Sequence, residues 1–264
     1  MKTFSLKKTV LFIIKSRHSI HRTTVLKNMK VLDVKIDNLS RIEILDRVKR
    51  FLDEPKFHQI ATVNPEFLVE ADRNPEFKKV LDGCDLCVAD GFGLSLVAFF
   101  RREKLKCRFP GADLMEEILR LANEKNLSVY LAVRADGLSS YDEVKTAILR
   151  IYPGLRIDGL DIDSSPLFGN WKLEIGNSAI VLCNFGAPAQ ELFLANLRNT
   201  GVESRVSMGV GGAFDYLTGK QRRAPKWMRT MGLEWLWRFA LQPSRIARIW
   251  NATAVFLWKV ITKK

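Results

Sequence analysis

Cysteine and histidine are scarce in this chain: four cysteines (Cys84, Cys87, Cys107, Cys183) and three histidines among 264 residues. Four cysteines are too few for a disulfide scaffold. Cys84 and Cys87 have C-x-x-C spacing, but no second pair or suitably spaced histidine completes a zinc site. A reducing, cytoplasmic compartment fits this usage. Long apolar runs are also missing, since a bilayer span takes about 20 such residues. The run Thr9-Val10-Leu11-Phe12-Ile13-Ile14 is shorter than a usual signal-peptide core and is ended by Lys15-Ser16-Arg17. The expectation is a protein neither secreted nor integral to a membrane. No G-x-G-x-x-G loop follows any predicted strand, which argues against a dinucleotide-dependent dehydrogenase. Internal repeats and low-complexity tracts are absent as well.

What is present is an ordinary globular mixture, 47% hydrophobic and 27% charged, with a net charge of +13. That charge is unevenly placed. Residues 1–30 hold eight Lys/Arg and no acid, and residues 219–264 hold eleven Lys/Arg and one acid, Glu234. The 188 residues between them hold 23 basic and 28 acidic groups, so the basicity belongs to the two ends. Five of the six tryptophans (Trp227, Trp235, Trp237, Trp250, Trp258) also lie in the last stretch. Cations interleaved with Trp, Phe and Leu suit a membrane–water interface. The same pattern is compatible with a helix packed on its own domain with a solvated basic face, or with a nucleic-acid patch.

Residues 1–29 read as a basic extension, with Met29 a plausible alternative start. The body alternates two periodicities. Ser40-x-x-Glu43 is a capping box opening a helix with Ile44, Leu45, Val48, Phe51 and Leu52 on one face. His58–Val63 reads as a buried strand, followed by one helix from Pro65 to about Leu81. Strands are expected at Asp85–Ala89, Ser128–Val133, Ala179–Phe185 and Arg205–Val210. Helices are expected at Ala112–Lys125, Tyr141–Ile151 and Gln190–Arg198. This alternation implies an α/β fold: a Rossmann-like, mostly parallel sheet with helices on both faces, over residues 30–218. A basic, Trp-rich helical appendage, 219–264, follows and is broken at Pro225 and Pro243.

Ligands of such sheets bind beyond the carboxyl ends of the strands. The polar residues there are Asn64, Asp90, Arg134, the stretch 186–190 and the stretch 211–215. Asn64, in Thr62-Val63-Asn64-Pro65, either holds a ligand group or caps a helix. Asp90, in Ala89-Asp90-Gly91-Phe92-Gly93, is a potential general base in a cleft, or part of a plain turn. Arg108 precedes a helix N-terminus and suits a phosphate, or is a surface arginine. Gln190 offers a donor and an acceptor to a base or sugar, or starts a solvated helix. Asp161-Ile162-Asp163 matches the D-x-D metal clamp, a three-residue pattern that arises easily by chance, and no metal is assigned to it.

The order of these pieces is more specific than any one of them. T-V-N-P-E at 62–66, A-D-G-F-G at 89–93, R-F-P-G-A-D-L-M at 108–115, Y-P-G-L-R-I at 152–157, G-A-P-A-Q-E at 186–191 and G-V-G-G-A-F-D at 209–215 occur in one run. They continue into R-A-P-K-W-M at 223–228 and G-L-E-W-L at 232–236. This series closely resembles the bacterial WecG/TagA/CpsF glycosyltransferase family over about residues 30–250. The resemblance implies an inverting, metal-independent transferase without cofactor. It would move a hexose, N-acetylmannosamine or a related sugar, from a UDP-sugar to a sugar, commonly GlcNAc, on polyprenyl diphosphate. The products of such enzymes feed teichoic acid, capsule and other surface polysaccharides at the cytoplasmic membrane face. The family's catalytic aspartate falls on Asp90, and its substrate contacts on Thr62, Asn64, Arg108 and Gln190. Its C-terminal arginines fall on Arg238, Arg245 and Arg248. Trp235, Trp237 and Trp250 are the expected membrane contacts. The partners implied are the donor, the lipid-linked acceptor and an anionic membrane surface, with no nucleic acid; family members can oligomerise.

Three stretches depart from the usual family pattern. Arg134-Ala135-Asp136-Gly137 stands for a Gly-rich turn, Ala189 for a usual Lys, and Gly159-Leu160-Asp161-Ile162-Asp163 for a Gly-, His- and Tyr-containing segment. All three fall at expected strand ends within reach of the sugar nucleotide, so the donor sugar stays open. Two other classes are distinguishable by experiment. A non-catalytic peripheral scaffold would bind no UDP-sugar. A nucleic-acid binder would show salt-sensitive binding that anionic liposomes do not match.

Overall fold

The computed structural model describes residues 28–163, 175, 178–241 and 251–262. The chain starts with a hairpin, β1 (Met29–Val31) and β2 (Val34–Ile36), paired antiparallel. Leu32 and Asp33 turn it with positive φ, and neither strand was foreseen. α1 (Arg41–Asp53) opens on the expected capping box: the Ser40 side chain accepts from Glu43 N–H, and Glu43 Oε2 accepts from Ser40 N–H. Those bonds, with Lys106, hold the Glu43 carboxyl down at about 2.

β3 (His58–Val63) is buried along its whole length, as its uncharged run predicts. The single helix expected from Pro65 to Leu81 is instead two, α2 (Pro65–Ala71) and α3 (Pro75–Asp82). The break has a local cause. Asn74 Oδ1 accepts from Phe77 N–H and Pro75 takes the first helical position, where its missing N–H does no harm. β4 (Leu86–Ala89) follows, then α4 (Phe92–Phe100), a helix hidden from the sequence reading by the glycines around it. The rest of the body comprises α5 (Gly111–Glu124), β5 (Ser128–Arg134), α6 (Tyr141–Ile151), β6 (Arg156–Ile162), β7 (Ile180–Cys183), α7 (Ala189–Asn199), β8 (Val206–Gly209) and α8 (Ala213–Leu217).

β3 to β8 form one six-stranded parallel sheet in the order β4-β3-β8-β7-β5-β6. Side chains alternate between two cores, as the pleat requires. In β5, Val129, Leu131 and Val133 enter the core under α1, α5 and α6, while Tyr130 and Ala132 enter the one under α7. In β3, Ile60 faces the first core, and Ala61 and Val63 face a third cluster with α2, α3 and α4. The α/β architecture with helices on both faces is therefore present.

β6 corrects one placement. Gly159 to Ile162 lie inside this edge strand and not beyond a strand end, with Gly159 paired to Leu131. Asp161 Oδ1 accepts from Tyr141 N–H at 2.8 Å and so caps α6.

Past α8 the chain forms α9 (Lys226–Met231), α10 (Glu234–Leu241), a π-helical turn at Asn251–Val255 and α11 (Phe256–Thr262). Pro225 precedes α9, and Gly232 ends it in the left-handed conformation. α11 packs against α2 and α4, with Phe256 fully buried among Phe67, Leu94 and Val97. Arg245, Arg248, Trp250 and Pro243 lie outside the described residues, as do residues 1–27 of the basic extension.

Candidate active site

The β3–β4 register pairs Val63 with Ala89, so the next residues, Asn64 and Asp90, emerge side by side. Asp90 N–H donates to Val63 C=O at 2.8 Å, fixing the step beyond the sheet. A Cβ on Gly91, whose φ is +84°, would sit 3.7 Å from Asn64 Cβ and 3.2 Å from Pro65 Cδ. Gly91 thus lets the chain turn away close against the β3 end.

The N-terminus of α5 closes the third side. Gly111 N–H donates to Asp90 Oδ2 at 3.3 Å, and a Cβ on Gly111 would meet Thr62 Oγ1 at 2.9 Å. Thr62, Asn64, Asp90 and the start of α5 therefore converge at one edge, although they come from three separate stretches of sequence. Asn64 does cap α2: its Oδ1 accepts from Phe67 N–H at 3.1 Å. The cap uses only the oxygen and leaves the amide NH2 as a donor. The local geometry suits proton removal from a hydroxyl beside a carboxylate, with helix-end dipole and Arg108 nearby for an anion.

Arg108 is half-buried rather than a loose surface group, and its Nη2 donates to Arg229 C=O in α9. Arg229 and Arg223 both reach Asp113 in the first turn of α5, at 3.5 and 2.6 Å. Arg223 also meets Glu116, whose carboxyl burial pushes upward. These contacts clamp the start of the C-terminal segment onto the helix that supports Asp90. Sequence reasoning missed them because Asp113 and Arg229 are 116 residues apart.

Gln190 differs from the expectation of an open sugar contact. It is buried, and its Oε1 accepts from Gly186 N–H and Gly211 N–H, each at 3.1 Å. Its Nε2 donates to Glu191 Oε1 at 2.7 Å. Gln190 thus ties together the turns after β7 and β8, and Gly209 is required beneath it, where a Cβ would approach Nε2 to 2.4 Å. Glu191 lies 1% exposed and its Oε2 has no hydrogen-bond partner among the described residues; burial pushes its carboxyl up to about 8. Burial thus favours the neutral acid over the carboxylate at this position.

Two more ties frame this edge. Asp215 accepts from Ser139 Oγ at 2.8 Å, joining α8 to the loop after β5. Arg134 N–H donates to Asn184 Oδ1 at 2.7 Å, while its guanidinium pairs with Asp136. Cys84 and Cys87 donate their thiols to helix carbonyls, each at 3.4 Å, and the Cys84 thiol is raised by its bond with Cys87 and by burial. A cleft of about 320 Å3 lies elsewhere, over α6, lined by Asp142, Glu143, Arg150 and Lys220 among others and by none of the nominated residues. Among the C-terminal candidates, Trp235 is exposed, and Trp237 Nε1 donates to Arg222 C=O at 3.1 Å. Arg238 is on α10.

Residues 29–264 match the glycosyl transferase WecG/TagA/CpsF family. The chain belongs to this family. The WecG/TagA/CpsF match runs from the first strand through the C-terminal helices, so body and appendage together form the family unit. Among similar proteins is the N-acetylglucosaminyldiphosphoundecaprenol N-acetyl-beta-D-mannosaminyltransferase of Bacillus subtilis (strain 168). It is 30% identical over 207 residues, 76% of this chain and 78% of that protein. Proteins with the same name match from Bacillus spizizenii (strain ATCC 23059 / NRRL B-14472 / W23), 30% identical over 203 residues, 75% of this chain and 77% of that protein, and from Staphylococcus aureus (strain MRSA252). The latter is 25% identical over 240 residues, 89% of this chain and 92% of that protein. As a member of this family, the chain is a glycosyltransferase.

Proposed function

We propose that this glycosyltransferase moves N-acetylmannosamine, or a related hexose, from a UDP-sugar to GlcNAc carried on polyprenyl diphosphate, with inversion and without metal, in surface polysaccharide or teichoic acid synthesis. The observation that carries the reading is the meeting of Asp90, Asn64 and Thr62 at the N-terminus of α5. It is supported by the similar proteins, whose names specify transfer of an N-acetyl-beta-D-mannosaminyl group to N-acetylglucosaminyldiphosphoundecaprenol.

In this proposal Asp90 takes the proton from the acceptor hydroxyl, which attacks the anomeric carbon on the face opposite UDP. Thr62 and the Asn64 amide orient the sugar. The departing diphosphate meets the start of α5 and Arg108, with Arg238, Arg245 and Arg248 completing its charge balance. Gln190 acts from beneath by setting the two glycine turns. Residues 219–264 form a membrane-associating appendage on a catalytic body of residues 30–218, with 1–29 a further basic contact. Trp235, Trp237 and Trp250 sit at headgroup depth, and the protein is peripheral at the cytoplasmic face.

The test incubates the full chain with a polyprenyl-diphosphate-GlcNAc analogue and a panel of UDP-sugars in EDTA, following UDP release and product mass. Acceptor-dependent release with one donor is the expected result and identifies the sugar. Release only when divalent metal is restored would overturn metal independence. Absence of any UDP-sugar binding by folded protein would replace the transferase reading with a scaffold.

A further inference from the structure

Helix α4 starts two residues after Asp90 and carries no charged side chain. Leu94, Val97 and Ala98 bury one face of it. The opposite face is apolar too. Phe92, Leu96, Phe99 and Phe100 follow the i, i+4, i+7, i+8 spacing of a single helical stripe. Phe99 and Phe100 are 75% and 70% exposed, and Phe92 is 41% exposed. Scattered exposed apolar residues are ordinary, but a continuous aromatic stripe on an uncharged helix is not.

The surroundings of the stripe are as informative as the stripe. At its end the chain runs Arg101-Arg102-Glu103-Lys104, all exposed, and neither Arg102 nor Lys104 makes an ion pair among the described residues. Arg101 Nη1 donates to Lys30 C=O at 2.6 Å, which joins the end of α4 to β1. At its start, Phe92 lies against Gly232, between α9 and α10, where a Cβ would meet its ring at 2.6 Å. Those helices expose Trp227, Met231 and Trp235. On its flank α11 packs against α4 and exposes Trp258.

We infer that α4 is itself a membrane-docking helix, lying in the interface of an anionic bilayer with Phe92, Leu96, Phe99 and Phe100 among the acyl chains and Arg102 and Lys104 at the headgroups. The C-terminal helices and the catalytic body then share one docking face. This deepens the proposed function and rests on its membrane location. α4 is about 13 Å long, and Asp90 adjoins its first turn, so docking sets the carboxylate at the height where a lipid-linked diphosphate emerges. A second copy of the chain is a poorer occupant, because a two-fold contact would face Arg101, Arg102 and Lys104 with their own copies.

The experiment sediments full-length protein with phosphatidylcholine vesicles containing or lacking phosphatidylglycerol. Wild type is expected to partition onto the anionic vesicles. F99S/F100S should lower that partition by about tenfold or more, and R102E/K104E should abolish the preference for anionic lipid. Both variants should keep the wild-type melting temperature, because the side chains are exposed, and full turnover on a short-chain, water-soluble acceptor. Unchanged partition in F99S/F100S overturns the inference. So does a wild-type oligomer, seen by light scattering, that this substitution disperses. The sedimentation result stands whether or not a sugar is transferred, so a failed transferase assay and a failed docking test are separable.

Discussion

Glu191→Gln is the sharpest physical test of the frame beneath the site. In the folded protein burial raises the Glu191 carboxyl to about 8 from an ordinary 4.5. The folded state therefore holds a proton that the unfolded state releases between these values, and stability must fall as pH rises from 4.5 to 8. The slope contributed is about 1.4 kcal/mol per pH unit, which makes about 5 kcal/mol across the window as an upper estimate. Gln cannot ionise, keeps an acceptor for Gln190 Nε2, and matches the neutral acid in shape. Chemical unfolding at intervals from pH 4.5 to 8.5 is the assay, with wild type and E191Q side by side. The difference in stability should move in favour of E191Q as pH rises and level off above about 8. In melting temperature this shift is on the order of 10 °C for a chain of this size. Parallel curves for the two proteins would refute the reasoning, since Glu191 would then be ionised inside a compensating environment.

Asp90→Asn should fold normally and lose about 10²- to 10⁴-fold in turnover, with little change in UDP-sugar binding; near-full activity would remove Asp90 as the base. Gly209→Ala should displace the Gln190 amide, since the added methyl would lie within 2.4 Å of Nε2, and should slacken both glycine turns. Faster amide exchange at Gly186 and Gly211 is the measurement, and unchanged protection would separate Gln190 from these turns. Gly93→Ala should loosen the packing of α11, because its Cβ would approach Pro65 Cγ to 2.6 Å and Phe256 Cε1 to 3.3 Å. Limited proteolysis near residue 256 should then accelerate, and an unaltered digestion pattern would contradict the close fit. Asp113→Ala removes the carboxylate that Arg223 and Arg229 share, and should detach α9 from α5 with a loss of about 1–3 kcal/mol.

What sequence alone determined follows from signals that are local. The Ser40 capping box, the uncharged run of β3, the helical spacing in 112–125 and 141–151, and the alternation of strand with helix each depend on residues within a few positions of one another. They sufficed for a parallel α/β sheet, and the order of short motifs sufficed for the family. Asn64 and Asp90 were legible because a polar residue after a buried strand has only one end of the sheet to occupy. The break at Asn74-Pro75 was equally local, but the apolar spacing running through it masked the cap. α4 lacked any such cap, and its stripe became meaningful only when Gly93 was seen against Pro65 and Phe256. Tertiary structure alone decided which partners meet. Sheet order brings the β7 and β8 turns together over Gln190, turning an apparent sugar contact into an internal brace. It likewise buries Glu191 and brings Arg229 onto Asp113. Such pairings arise from long-range packing, and no short stretch of residues encodes them.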